Sequence, residues 1–152
     1  MNLLRTDSTN ADFQRLVADL DAELRSRDGA DHSFYSQFNK IDALRHVVVA
    51  FEDKEAVGCG AFKEYAPRAV EVKRMFVIPA RRKRGIAAMV LKELEAWAQE
   101  LGVSRVILET GKRQPEAINL YEKNGYRVTD NYGQYIGVDN SVCFEKRLGP
   151  NA

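Results

Sequence analysis

The stretch from Ala69 to Leu108 constrains this chain more than any other. It opens with Val70 and Val72 alternating against Glu71 and Lys73, the period of a strand with two unlike faces. It then passes through the basic turn Arg81-Arg82-Lys83-Arg84-Gly85 into a segment with apolar side chains at helical spacing. These are Ile86, Val90, Leu94, Trp97 and Leu101, with Gly102 placed as the stop. It closes on Val106-Ile107-Leu108, an apolar run without alternation, as expected of a parallel strand covered on both faces. Strand, helix and buried strand form a right-handed βαβ crossover, so the chain must pack helices against a sheet. Arg74 interrupts the first strand where an apolar side chain is due, and Met75-Phe76-Val77 resumes out of phase. A bulge or a splay in the sheet accounts for the slip, and bulges tend to sit beside active sites.

The remaining segments extend the same architecture. Leu3 and Leu4 open a short strand, and the polar cluster Asp7 to Asn10 starts a helix with Phe13, Leu16, Val17, Leu20 and Leu24 on one face, ending by Asp28-Gly29. A short second helix would carry Phe34 and Phe38 inward. Val47 to Phe51 and Ala56 to Tyr65 read as a hairpin around the charged turn Glu52 to Glu55. Gln114 and Pro115 open another helix that ends before Gly125, with Ala117, Leu120, Tyr121 and Asn124 inward. Two antiparallel strands within Tyr126 to Leu148 finish the sheet, the last holding Val142-Cys143-Phe144. The expected fold is α/β, with a mixed, mostly antiparallel, splayed sheet of six to seven strands and helices on both faces. Residues 1–148 are expected to form one domain and 149–152 a frayed tail.

Composition narrows the function. With 152 residues, 23 Lys+Arg against 22 Asp+Glu and 45% hydrophobic residues, the chain has the size and balance of one soluble domain. No apolar run nears the roughly 20 residues of a membrane span, and no basic segment leads into an apolar one at the start, so a cytoplasmic protein without a membrane partner is expected. Cys59 and Cys143 have no CxxC pattern and no neighbouring histidine, which argues against a zinc site or a disulfide scaffold. No metal is expected.

A strand that turns through basic and small residues into a helix leaves several amide N–H groups pointing one way, which is an anion site. Neither GxxxxGK[ST] nor GxGxxG occurs, so triphosphate hydrolysis and dinucleotide-linked hydride transfer lack their usual loops. A solvated turn and a nucleic-acid patch are the other readings of Arg81 to Arg84. The near-balanced charge weighs against the second.

What remains is Arg82-x-x-Gly85-x-Ala87, followed about 30 residues on by Ala117-Ile118-Asn119-Leu120-Tyr121-Glu122-Lys123-Asn124-Gly125-Tyr126. The loop resembles the Q/R-x-x-G-x-G/A acyl-coenzyme A loop of the GNAT N-acetyltransferase superfamily. The second segment resembles that family's A-I-x-L-Y-x-x-x-G-F/Y signature, in the same order of elements. The resemblance implies a GNAT-like fold and an N-acetyltransferase that moves an acetyl group from acetyl-CoA to a primary amine in a ternary complex, releasing coenzyme A. It implies coenzyme contacts at Met75, Phe76 and Val77, at Arg82, Lys83, Arg84, Gly85, Ile86, Ala87 and Ala88, and at Gln114, which stands where the family often has asparagine. Glu71 matches the general base and Tyr121 the residue that protonates the leaving thiolate. The same positions also admit quieter roles: Glu71 as an ion-pair partner of Lys73 or Arg74, and Tyr121 as a packed core residue. By the same resemblance His32, Tyr35 and Asn39 border the acceptor, with Tyr132 and Tyr135 closing the pocket from the other side. A solvated helix face explains the first three equally well, and a loop whose aromatic residues simply cover the core explains the two tyrosines equally well. The implied acceptor is a small-molecule or peptide amine, and the implied assembly a monomer or homodimer. The alternative is a non-catalytic acyl-CoA-binding or sensing module.

Overall fold

The computed structural model describes residues 1–28 and 43–149. Its axis is β4 (Ala69–Val77), the strand that loses phase in the sequence. On one side β4 runs antiparallel to β3 (Glu55–Ala66), the second arm of a hairpin with β2 (His46–Glu52). Asp53 and Lys54, at φ 51° and 70°, turn that hairpin. On the other side β4 runs parallel to β5 (Arg105–Gly111). With β1 (Asn2–Thr6), β6 (Arg127–Thr129) and β7 (Ser141–Arg147) the sheet has seven strands in the order β1-β2-β3-β4-β5-β7-β6. Val106 to Leu108 lies in a strand that is parallel only to β4, since its other neighbour, β7, is antiparallel.

Helices cover both faces, each with its own apolar core. α1 (Ala11–Asp28) is capped by Asn10, whose Oδ1 accepts the Phe13 amide at 2.9 Å. It lays Phe13, Leu16, Val17 and Leu20 over Val47, Val49, Cys59, Ala61 and Phe76. On the opposite face α2 (Ile86–Glu100) packs Ile86, Val90, Leu91, Leu94 and Ala98 against Val48, Val57, Phe62, Val70, Val72, Val106 and Phe144. The strand alternation distributes these residues, and β2 is covered twice because Val47 and Val49 face one helix while Val48 and Ala50 face the other. Leu101, expected on the buried stripe of α2, is 54% exposed, because it is the C-cap and the helix has already ended there. α3 (Pro115–Lys123) lies beyond β5 and buries Tyr121. The short helix expected around Phe34 and Phe38, with His32, Tyr35 and Asn39, lies outside the described residues, as do residues 150–152 of the expected tail. Among the described residues no helix is long and apolar enough to cross a membrane.

Candidate active site

Two irregularities in β4 create the site. The first is a bulge, as the sequence predicts. Pairing with β3 runs from Ala61↔Lys73 to Cys59↔Phe76, so Gly60 alone faces both Arg74 and Met75. Arg74 takes up the extra length in the left-handed region, at φ 62°. One added residue restores the phase, so that Met75 and Val77 return to the α2 core and Phe76 to the α1 core. Arg74 is left on the α1 side, where its Nη1 donates to Asp21 Oδ1 at 2.9 Å. The second irregularity is a splay. β4 and β5 pair only through Ala69↔Arg105, Val70↔Val106 and Glu71↔Ile107. Beyond that point β4 stays with β3 as far as Val77, while β5 stays with β7 as far as Gly111. Val72 to Val77 therefore present an edge with no strand partner among the described residues.

A cavity of about 110 Å³ occupies this opening. β4 contributes Glu71, Lys73, Arg74 and Met75 to its walls, β5 contributes Glu109, Thr110 and Gly111, α3 contributes Gln114, Ala117 and Tyr121, and Tyr135, Leu20 and Leu24 complete it. Glu71, the last residue of β4 paired to β5, is 3% exposed. Its Oε2 accepts the Tyr132 hydroxyl at 2.6 Å and its Oε1 lies 3.8 Å from Lys73 Nζ. The expected ion pair and the expected pocket position of Glu71 therefore coexist. Tyr132 stands edge-on to both Tyr65 and Tyr135, at 5.2 and 5.7 Å between ring centres, so its loop packs over the carboxylate. Burial first, and then the Glu71 charge and hydrogen bond, hold the Tyr132 hydroxyl far above the ordinary range. Burial draws the Lys73 ammonium below its usual range, against the opposing pull of Glu71.

Tyr121 reaches the splay from α3. Its ring packs against Tyr126 and Phe144, and among the described residues nothing hydrogen-bonds its hydroxyl. Burial, followed by the charge of Glu109, raises that hydroxyl well above a free phenol, so it keeps its proton at neutral pH. Gln114 stands at the N-cap of α3 without a side-chain cap bond and lines the cavity instead. A Cβ on Gly111 would lie 3.2 Å from Asn140 Nδ2 and 3.5 Å from Gln114 Nε2, and Asn140 Nδ2 is buried with no partner among the described residues. Two amide nitrogens thus converge where β5 ends.

The basic loop between β4 and α2 divides its labour. Arg81 binds Glu52 and Glu55 at 2.9 and 3.0 Å, and Arg84 lies 3.6 Å from Glu52. Arg82 donates from Nε to the Val77 carbonyl at 2.8 Å, bonds Glu23 of α1 at 2.9 Å and covers the Phe76 ring. These side chains brace the loop. Its anion-binding capacity lies in the backbone: the first helical bond runs from Met89 N–H to Gly85 O, so the Ile86, Ala87 and Ala88 amides have no intrahelical acceptor. Gly85, at φ 82°, has no atom within 4 Å of where a side chain would begin, leaving open space before these amides. Both cysteines are buried, and burial pushes Cys59 up to about 12 and Cys143 to about 11, so neither supplies a ready thiolate.

Sequence reasoning missed Lys73, Arg74 and Glu109 as wall residues, and Asn140 beside Gly111. Glu109 carried a faint signal, a carboxylate directly after an apolar run, and its side chain accepts the Ser141 hydroxyl at 2.7 Å. Asn140 carried none, because turn residues favour asparagine for backbone reasons alone.

Comparison with known proteins points one way. The profile of the Acetyltransferase (GNAT) family matches residues 12–126. An uncharacterized N-acetyltransferase of Bacillus subtilis, YsnE, is 35% identical over 101 residues, covering 65% of this chain and 67% of its own. Among solved structures, a candidate acyl-CoA N-acyltransferase from Klebsiella pneumoniae superposes with a TM-score of 0.82 at 29% identity, covering 97% of both chains. The PaiA N-acetyltransferase of Thermoplasma acidophilum, solved in complex with coenzyme A, shares the fold at a TM-score of 0.71 and 18% identity, over 97% of this chain and 100% of that one.

Proposed function

The chain belongs to the acetyltransferase (GNAT) family and is an acyl-CoA-dependent acetyltransferase, and we propose that it transfers the acetyl group of acetyl-CoA directly to a primary amine in the β4–β5 splay. The observation that carries this reading is the splay itself. It opens at Glu71, a buried carboxylate, and admits Tyr121, a protonated phenol, from the neighbouring helix.

The residues present suit the coenzyme. The open space at Gly85 and the Ile86, Ala87 and Ala88 amides would receive its pyrophosphate, with Lys83 and Arg84 beside them. The unpaired edge at Met75, Phe76 and Val77 would hydrogen-bond the pantetheine arm as a strand would. The Gln114 and Asn140 amides at Gly111 offer two further donors. When bound, acetyl-CoA supplies an activated acyl carbon and a thiol leaving group.

The chain's own groups provide the proton chemistry. An alkyl amine with an ordinary pKa of about 10.4 is mostly protonated at neutral pH and cannot attack until a base takes its proton. Glu71 receives that proton. Tyr132 fixes Oε2, which leaves Oε1 as the oxygen beside Lys73 that receives the amine proton. Backbone N–H groups along the free edge of β4 would offer donors to a carbonyl oxygen on which charge builds. Tyr121 holds a proton on its hydroxyl for the departing sulfur. His32, Tyr35 and Asn39 are retained as acceptor contacts in this proposal, together with Tyr132 and Tyr135. No covalent enzyme intermediate is needed.

Thermal denaturation with and without acetyl-CoA tests the coenzyme site. At a hundredfold excess over Kd, selective binding to the folded state is worth about 2.7 kcal/mol, which raises Tm by about 5–11 °C for a chain of this size. Gly85→Glu puts a carboxylate where the pyrophosphate belongs and removes the rise. Gly85→Ala, with the same backbone strain and no charge, retains it. No rise in the native protein, or a rise that survives Gly85→Glu, overturns the reading.

A further inference from the structure

Arg74 is a buried cation with half its hydrogen-bonding edge unused. Its side chain is 2% exposed, and Nη1 is committed to Asp21, whose side chain is 43% exposed. Nε and Nη2 are both buried with no hydrogen-bond partner among the described residues. Those two nitrogens form one edge of the guanidinium, and their parallel N–H bonds match the two oxygens of a carboxylate. The arginine stands in the cavity wall, between the Lys73 and Met75 that flank it on β4 and the Leu20 and Leu24 that flank its Asp21 partner on α1. The bulge brings it there at the cost of a left-handed backbone, so the chain accepts both backbone strain and two buried donors without a partner among the described residues at one wall position.

We propose that Arg74 binds the carboxylate of the acceptor, and that the acceptor is a small amino acid rather than a simple amine. The inference rests on the proposed acetyl transfer at this cavity and adds the class of its substrate. The charges around the cavity are arranged for a zwitterion. Glu71 and Glu109 attract the ammonium group at the place where its proton must leave, and the free edge of Arg74 takes the opposite charge. Lys73 is engaged with Glu71 at 3.8 Å. A phosphate would bring a second negative charge beside two carboxylates and one arginine already shared with Asp21, which favours the singly charged carboxylate. A free amino acid, whose carboxylate lies close to its amine, presents both charges to this cavity, whereas an internal residue of a peptide has no free α-carboxylate to present.

The test compares kcat/KM for each of the twenty amino acids with that for the amine left when its carboxylate is removed. In the native enzyme the preferred amino acid should exceed its decarboxylated partner by about 100-fold or more, because that partner leaves buried donors unpaired. Arg74→Met should bring the ratio close to one while keeping the Tm rise with acetyl-CoA, and Arg74→Lys should fall between. The substrate pairs are measured on the native enzyme, so the comparison stands even if a variant fails to fold. Three results overturn the inference: equal use of amino acids and decarboxylated amines, no turnover of any of the twenty, or an Arg74→Met variant that loses activity equally toward both members of a pair. If acetyl-CoA gives no Tm rise in the native protein, the proposed function has failed; if the rise is present and the carboxylate is ignored, only this inference has.

Discussion

Substituting alanine for Gly60 adds one methyl group opposite the β4 bulge, and the structure sets what that methyl must displace. Its Cβ would lie 2.9 Å from Leu94 Cδ1 and 3.0 Å from Val90 Cγ1, and would collide with Met75 Sδ. Ordinary carbon contacts are about 3.5–4.0 Å, so three side chains must give way together. All three are side-chain rather than backbone atoms, and Met75 and Leu94 can swing where the β-branched Val90 cannot, which makes the penalty one of overpacking, about 1–3 kcal/mol. At roughly 2–4 °C per kcal/mol for a domain of this size, Tm should fall by about 2–12 °C in a calorimetric or circular-dichroism melt. Met75 also belongs to the free edge of β4, so the same variant should show a smaller Tm rise with acetyl-CoA than the native protein. A Tm within about 1 °C of native would refute the argument that Gly60 leaves the room in which the bulge forms.

Two further outcomes follow from burial. Tyr121, Tyr126, Tyr132 and Tyr135 are all held above the ordinary phenol range, chiefly by desolvation. From about pH 10 upward the unfolded chain sheds phenolic protons that the folded one retains, so stability is unaffected below that pH and falls above it. Phenolate absorbance should then appear together with loss of circular dichroism; four tyrosines titrating freely in a folded protein would contradict it. Cys59 and Cys143, buried and raised to about 12 and 11, should be inert to a thiol reagent at neutral pH until denaturant exposes both, and rapid labelling of the native protein would contradict their burial.

How much of this was legible in the sequence depends on distance along the chain. The bulge was, because Arg74 breaks a two-residue period and the break lies within one strand. The crossover was, because an amphipathic helix followed by an unalternating apolar strand has one common geometry. The order β5-β7-β6 was not, since no local pattern tells the last strand to insert between its neighbours. The Tyr132–Glu71 bond joins residues 61 apart, and only a fold brings them together. Arg82 shows the converse: its motif position was readable, while its side-chain partners, Val77 O and Glu23, depend on where α1 packs. The unpaired edge of Arg74 was hidden for the same reason, since the sequence shows only that Arg74 falls where an apolar side chain is due, and its partners depend on where α1 packs.

In the proposed reaction Glu71 takes the amine proton at the mouth of the splay. Glu71→Gln keeps the shape and still accepts the Tyr132 hydroxyl, but cannot take a proton, so its kcat across pH is the direct measurement. Glu71→Gln should lose about 10²–10⁴ in kcat and the acidic limb of the profile while its Tm rise with acetyl-CoA is unchanged. A variant with native kcat and the same acidic limb would contradict it and remove Glu71 from the mechanism.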